Sequence, residues 1–294
     1  MKKRLLVLGL VTSLVLSMVA CGNDDSNSVA DTTTVATTVS SENGTTAGEE
    51  KNDVADELSD EYLLSLPETD VNEIWHEDIE SGIRIKGVRV DNNEEAIIVL
   101  PNQINDKEVI ELDRELFIRS RYKAVVINKN IKKIPYQCFQ SSHIKKIVLP
   151  EGLEVISIDA FYLSHTEYIE LPSTLKTIAK DAFGSSSIKE ITIPKNVEVV
   201  SSGAFSLCSD LETVIFEGCP KMEEPVFLMS DNIKKVICYD GNIEFSKDEF
   251  INSQALNPDA SDEDKQTTVI LVAPAGSKVE QYAKDNGLNF EALD

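Results

Sequence analysis

The chain has 294 residues, 41% of them hydrophobic and 27% charged, enough apolar material for one or two globular domains. Its 51 Asp and Glu against 28 Lys and Arg give a formal charge of −23, which argues against nucleic acid and an anionic membrane surface as partners, since both need a basic patch. Only three histidines and five cysteines are present, and no phosphate-binding glycine loop, HExxH or paired CxxC occurs.

The first twenty residues stand apart. "MKKRLLVLGLVTSLVLSMVAC" starts with Lys2, Lys3 and Arg4, continues as an apolar run from Leu5 to Ala20, and reaches Cys21. The run is short for a membrane span and has the layout of a secretory signal. With small Ala20 and Gly22 around the cysteine, it resembles a bacterial lipoprotein signal, which implies export and a lipid on Cys21 that holds the protein to the cell membrane, facing outside. A plain cleaved signal or a short anchor helix is the simpler alternative. Removing residues 1–20 leaves 25 basic residues against 51 acidic ones, a charge of −26. Residues 21–60, centred on "DTTTVATTVSSENGTTAGEE", lack clustered large apolar side chains and read as a flexible tether.

Residues 61–108 alternate as strands do around the turn "DNNEE", and "AIIVLP" anticipates a phrase that recurs further along the chain. This segment reads as a cap over the first open edge of a repeat stack. Residues 109–249 repeat. Phe117, Phe139, Phe161, Phe183, Phe205 and Phe227 each lie 22 residues from the next. Ile134, Ile156, Ile178, Val200 and Met222 form a second apolar column, and Val109, Ile131, Leu153, Leu175 and Val197 a third. Cys138, Ala160, Ala182 and Ala204 place a small residue before the phenylalanine, and Pro150, Pro172 and Pro194 mark a corner. Columns in register at this period define a stacked solenoid. Residues 250–294 loosen around the polar loop "NPDASDEDKQ" and close with a strand and a short helix, opened by Ser277 and Glu280 and stopped at Gly287.

Each rung contains an apolar-x-apolar strand such as Ile191-Thr192-Ile193, with its outer residues facing inward and its middle one outward. A proline ends it, and the compact segment "LKTIAKDAF" comes next with inward residues at intervals of three and four, a spacing that suits a 3₁₀ turn or very short helix. The phrase L-x-x-I-x-L-P-x-x-L-x-x-I-x-x-x-A-F-x-x-C-x-x-L, seen in "IKKIVLPEGLEVISIDAFYLSHTEYIELP" and in "ITIPKNVEVVSSGAFSLCSDLETVIF", resembles the BspA-type class of leucine-rich repeat. Cys208 stands in the cysteine slot of that phrase, and Ser142, Ser164 and Ser186 replace it on other rungs. The resemblance covers about residues 83–293. It implies a right-handed leucine-rich-repeat solenoid, β-rich, with short parallel strands on one face, 3₁₀ or short helical segments on the other and a C-terminal capping helix. It also implies a bacterial surface or secreted protein of a class tied to adhesion and host-protein binding.

No residue set demands catalysis or a cofactor. His143 and His165 occupy equivalent slots on adjacent rungs and could share a metal with Glu167, but the equivalent Ser187 and Ser209 mark an ordinary polar position; His76 is isolated in the sequence. Cys138 and Cys238 read as small buried residues, and Cys219 with Cys238 is the pair best placed for a disulfide in an exported protein. With no such chemistry singled out, the resemblance implies a non-enzymatic function without metal or cofactor: binding of a protein or glycan by an anchored surface protein. A scaffold or spacer with no ligand of its own is the alternative. By register the outward strand residues form two rows. One is Ala124, Lys146, Tyr168, Glu190, Thr213 and Lys235; the other is Val126, Val148, Glu170, Thr192, Ile215 and Ile237. From these, Lys146, Val148, Tyr168, Glu170, Glu190, Thr192, Thr213, Ile215 and Lys235 form the expected ligand-binding face.

Overall fold

The computed structural model describes residues 58–247, 249–250 and 268–293. Cys21, the signal, nearly all of the tether and the loop around residues 251–267 lie outside the described residues.

Helix α1 (Asp60–Ser65) and one 3₁₀ turn (Val71–Glu73) precede the antiparallel pair β1 (Ile74–Ile79) and β2 (Gly82–Val88). Next come β3 (Ile97–Val99), β4 (Gln103–Ile104) and β5 (Lys107–Leu112). β5 joins β2 in parallel and β4 antiparallel, which completes a four-stranded sheet.

The rungs then contribute strands alternately to two sides. The longer ones are β6 (Ala124–Val126), followed after the short β7 (Lys133–Ile134) by β8 (Lys146–Val148). Two more short ones are β9 (Val155–Ile156) and β10 (Thr177–Ile178). After them come β11 (Glu190–Ile193), β12 (Val199–Val200), β13 (Thr213–Phe216), β14 (Lys221–Met222) and β15 (Lys235–Cys238). The chain ends with β16 (Ile270–Pro274), helix α2 (Lys278–Asn286) and β17 (Asn289–Leu293). On the first side β3, β6 and β8 form one parallel sheet, and β11, β13, β15, β16 and β17 form another. On the second side the two-residue strands β7, β9, β10, β12 and β14 make a third parallel sheet.

The interior between the two sides is filled by the repeat columns. Phe117, Phe139, Phe161, Phe183, Phe205 and Phe227 are buried and stack face to face, with successive centroids 5.1, 5.0, 4.8, 5.2 and 5.7 Å apart. Phe250 continues the column at 5.9 Å. That spacing matches the separation of neighbouring strands, which the backbone sets. The small column before the phenylalanine (Cys138, Ala160, Ala182, Ala204) is fully buried, since the close-packed rings leave no space for more.

The second side departs from expectation. No helix, 3₁₀ or α, is found there among the described residues; each rung has the two-residue strand and then a run of turns. The backbone explains this. Gln137, Asp159, Asp181 and Gly203, two places before the phenylalanine, and Ser141, Leu163, Ser185 and Leu207, two places after it, have φ between +52° and +70°. A left-handed residue on either side of each phenylalanine prevents right-handed helix from propagating. The reversal turns alternate N–H groups along the stack instead. The N–H groups of Phe117, Phe139, Phe161, Phe183 and Phe205 donate to the carbonyls of Cys138, Ala160, Ala182, Ala204 and Val226 on the next rung. After Phe227 a side chain takes over. Buried Glu249 accepts from the N–H groups of Val226 (2.6 Å) and Phe227 (3.1 Å) with one carboxylate oxygen, and from the Ser246 hydroxyl (2.7 Å) with the other.

The slot of Ser142, Ser164, Ser186 and Cys208 is buried throughout. On the later rungs its donor meets a preceding carbonyl: Cys208 Sγ contacts the Phe183 carbonyl at 3.1 Å, and Ser230 Oγ donates to the Phe205 carbonyl at 2.7 Å; Ser164 Oγ donates to Thr166 Oγ1 instead.

At the end of the chain, Ser277 Oγ accepts from the Glu280 N–H and Gly287 closes α2 in the left-handed region. Glu280 bonds the N–H of Gly276 rather than that of Ser277. Val279 and Ala283 turn into the core. The helix does not end the chain's ordered structure: β17 comes after it and adds one more strand to the first side.

Candidate functional site

The first side carries the two outward rows in the expected register, since β6 pairs with β8, and β13 with β11 and β15, at the expected positions. The rows divide into three parts with different surroundings.

The first part is covered. Ala124, Val126, Val148 and Val99 are buried in one apolar cluster with Leu63 of α1, and Leu58, Leu66 and Ile97 pack around it. Val148, expected to be open to a ligand, is therefore enclosed by the chain's own helix. Lys146 is half-buried beside it, 2.7 Å from an Asp60 carboxylate oxygen and 3.7 Å from Glu170. The Asp60 contact is an ion pair by distance without the alignment of a hydrogen bond. The helix forms because Ser59 caps it by accepting from Tyr62 N–H, and Asp60 and Glu61 sit in its first turn, where the helix dipole favours carboxylates. Leu58 before the cap and Leu63 in the second turn meet in the same cluster, a hydrophobic staple. That cap signal is present in "LSDEYLL", in a stretch that composition assigns to the end of the tether.

The second part is the rung of Tyr168 and Glu170. The repeat register predicts a strand here, yet the sheet is interrupted between β8 and β11. At this rung the buried Thr166 hydroxyl donates to the Ile144 carbonyl (2.9 Å), while the Glu167 carbonyl accepts from Lys189 N–H. Tyr168 is 60% exposed, with the Lys189 ammonium 5.8 Å from its ring centroid and Glu167 paired to that ammonium. Glu170 is exposed.

The third part is open sheet. Glu190 is exposed; Thr192, Thr213, Ile215, Lys235, Ile237 and Ile270 are half-buried. Ile215 lies beside Ile237, and Lys235 beside Thr213 and Ile270, on neighbouring strands. Lys235 reaches Glu291 of β17 at 3.2 Å.

A groove of about 400 Å³ opens where the covered part ends. Leu64 of α1, Val148, Leu149 and Leu171 supply apolar surface, Pro150 and Pro172 the corner, and Asp60, Lys129, Glu151 and Glu170 the charges. Val148 and Glu170 belong to the face expected from sequence; Leu64 and the prolines do not, because the repeat pattern gives no sign of α1.

Elsewhere the chemistry is bland. His143 and His165 do come together, stacked with centroids 4.0 Å apart, and burial with the neighbouring imidazole pushes the His143 pKa down. Glu167, the carboxylate expected near them, pairs with Lys189 instead. Among the described residues no group of three or more His, Cys, Asp or Glu side chains could hold a metal. Cys138, Cys208, Cys219 and Cys238 are free thiols, Cys219 exposed and Cys238 buried. Burial pushes the Cys208 thiol up to about 11, which leaves it protonated and a poor nucleophile.

A family model for the BspA type leucine rich repeat region matches residues 100–165 and 132–257, in six copies, together more than half of the chain. The chain belongs to the BspA-type leucine-rich-repeat family. Such repeats are in general non-enzymatic binding scaffolds, and proteins built from them are typically exported to the cell surface. Among solved structures, a leucine rich repeat protein of T. pallidum is 19% identical with a TM-score of 0.50, covering 76% of this chain and 98% of that one. A leucine-rich repeat protein from Bacteroides ovatus is 20% identical with a TM-score of 0.50, covering 71% of this chain and 56% of that one. At these identities the likeness is one of fold. No curated protein matches the chain.

Proposed function

We propose that this chain is an exported, lipid-anchored recognition protein that binds a protein or glycan through the part of its first side that α1 leaves open. The observation that carries this reading is the unequal treatment of one face. Its first rungs, Ala124, Val126 and Val148, are sealed by a leucine of the chain itself, whereas Ile215, Ile237 and Ile270 stay partly open to solvent. A neighbouring set of apolar side chains held in fixed rows is the kind of surface that marks an interface. Exposed Tyr168 at its border supplies an aromatic anchor of the type that dominates binding energy. The anchor is read from the basic start, the apolar run and Cys21; among the described residues no helix is long and apolar enough to cross a membrane.

The test is a pull-down with the mature protein from host-matrix and same-cell envelope extracts, beside the double variant Tyr168→Ala, Ile215→Asp. Capture by the native protein and its loss in the variant, at unchanged melting temperature, is the expected result. Equal capture by both contradicts the assignment, and capture of nothing from either extract favours a scaffold without a ligand.

A further inference from the structure

The groove beside α1 has a character that the open face does not share, and it points to one class of occupant. It continues the seam in which α1 already packs on the sheet: Val148, buried by Leu63 on one side, lines the groove on the other, and Leu64 projects at its rim with 63% of its surface exposed. The apolar wall of Leu64, Val148, Leu149 and Leu171, set at the Pro150–Pro172 corner, is suited to a large aliphatic side chain, and about 400 Å³ lies in the range of sites that hold a small ligand.

Charge selects what surrounds that side chain. Asp60, Glu151 and Glu170 face Lys129 in the lining, and adding Lys146, which Asp60 and Glu170 both approach, leaves three carboxylates against two ammonium groups. Glu170 is far more open than Asp60, its side chain 83% exposed against 37%. The chain's own residues 22–57 hold nine Asp and Glu and a single Lys51, so they do not complement this rim. A second copy of the mature chain, at −26, is repelled as a whole.

We infer that the groove between α1 and the Pro150–Pro172 corner is a docking subsite for a partner's polypeptide segment in which a large aliphatic residue is flanked by arginine or lysine. The aliphatic group rests on Leu64 and Leu171, and a flanking cation meets Glu170. This deepens the recognition reading and rests on it, since the groove borders the proposed face.

The test uses the mature full-length protein and three acetylated, amidated pentapeptides, titrated by calorimetry or amide chemical shifts: Gly-Arg-Leu-Arg-Gly, the same with serine for leucine, and the same with glutamate for both arginines. The first binds, and each change weakens binding at least tenfold. Glu170→Lys and Leu64→Ser, both at exposed positions, each weaken binding of the first peptide at least fivefold without lowering the melting temperature. Equal binding of the basic and acidic peptides, no binding of the first up to millimolar concentration, or unchanged binding in both variants overturns the subsite. If the partner captured from extracts is lost with Tyr168→Ala, Ile215→Asp but kept with Glu170→Lys and Leu64→Ser, the open face stands and the groove falls.

Discussion

Asp60 of the first helix and Lys146 of β8, far apart in sequence, meet at 2.7 Å above the sheet. The pair marks where the chain folds back to roof its own first rungs, with Leu63 beneath the roof on Val148. The two contacts should contribute very differently. Leu63→Ala removes a fully buried side chain and should cost about 2–5 kcal/mol. Asp60→Asn removes a partly solvated ion pair and should cost less than about 1 kcal/mol. Urea denaturation of the two variants checks this; similar losses would mean that charge rather than packing holds α1.

Phe183 has a ring stacked on each side, at 4.8 and 5.2 Å. Phe183→Ala should destabilise by about 3–5 kcal/mol, because neighbouring rungs cannot collapse into the space without breaking their ladder. Phe161→Ala should act alike. Lys195→Ala, on an exposed side chain, is the control and should leave the melting midpoint within a degree or two. Equal midpoints for all three would show that the column is not the core.

Glu249 stands where earlier rungs offer a backbone carbonyl, accepting from Val226 and Phe227 on one oxygen and Ser246 on the other. Glu249→Ala leaves buried donors without a partner and should cost about 1–3 kcal/mol for the group. The loss should appear first as faster hydrogen exchange at the Val226 and Phe227 amides, with Phe139 unaffected. Uniform acceleration along the stack would show that the terminal rung is not a separate unit of stability.

His143 is held below the usual imidazole range by burial and by stacked His165, with Arg121 adding repulsion and Glu94 opposing it. The unfolded chain therefore takes up this proton at a higher pH than the folded one. The contribution of His143 to stability is constant above about pH 6.5 and declines as pH falls below it. His143→Ser should flatten the stability profile between about pH 7 and pH 5, as measured by denaturation at each pH. An unchanged slope would place the titration elsewhere.

The stack was legible in the sequence because an inward column must repeat at the rung period to be buried at all. Phenylalanine every 22 residues and the small residue before it state the solenoid directly. The outward register was legible for the same reason, through the alternation of Ile191, Thr192 and Ile193. What escaped was set by backbone or by tertiary contact. The left-handed residues after each phenylalanine, Leu163, Ser185 and Leu207, are not types that announce positive φ, and Asp159 and Asp181 before it announce it only weakly, so the turns read as helix. The short α1 depends on the sheet beneath it. Without that contact "SDEYLL" is too short to be stable alone, and so Val148 reads as solvent-facing.

Photo-cross-linking from a single position tests the central claim most directly. A benzophenone side chain is placed at Ile237 on the open face and, in a second protein, at Lys180 on the turn side; each is irradiated with the captured partner. The account predicts a covalent adduct from position 237 and none from position 180. An adduct from position 180 alone would move recognition to the turn side and contradict the account.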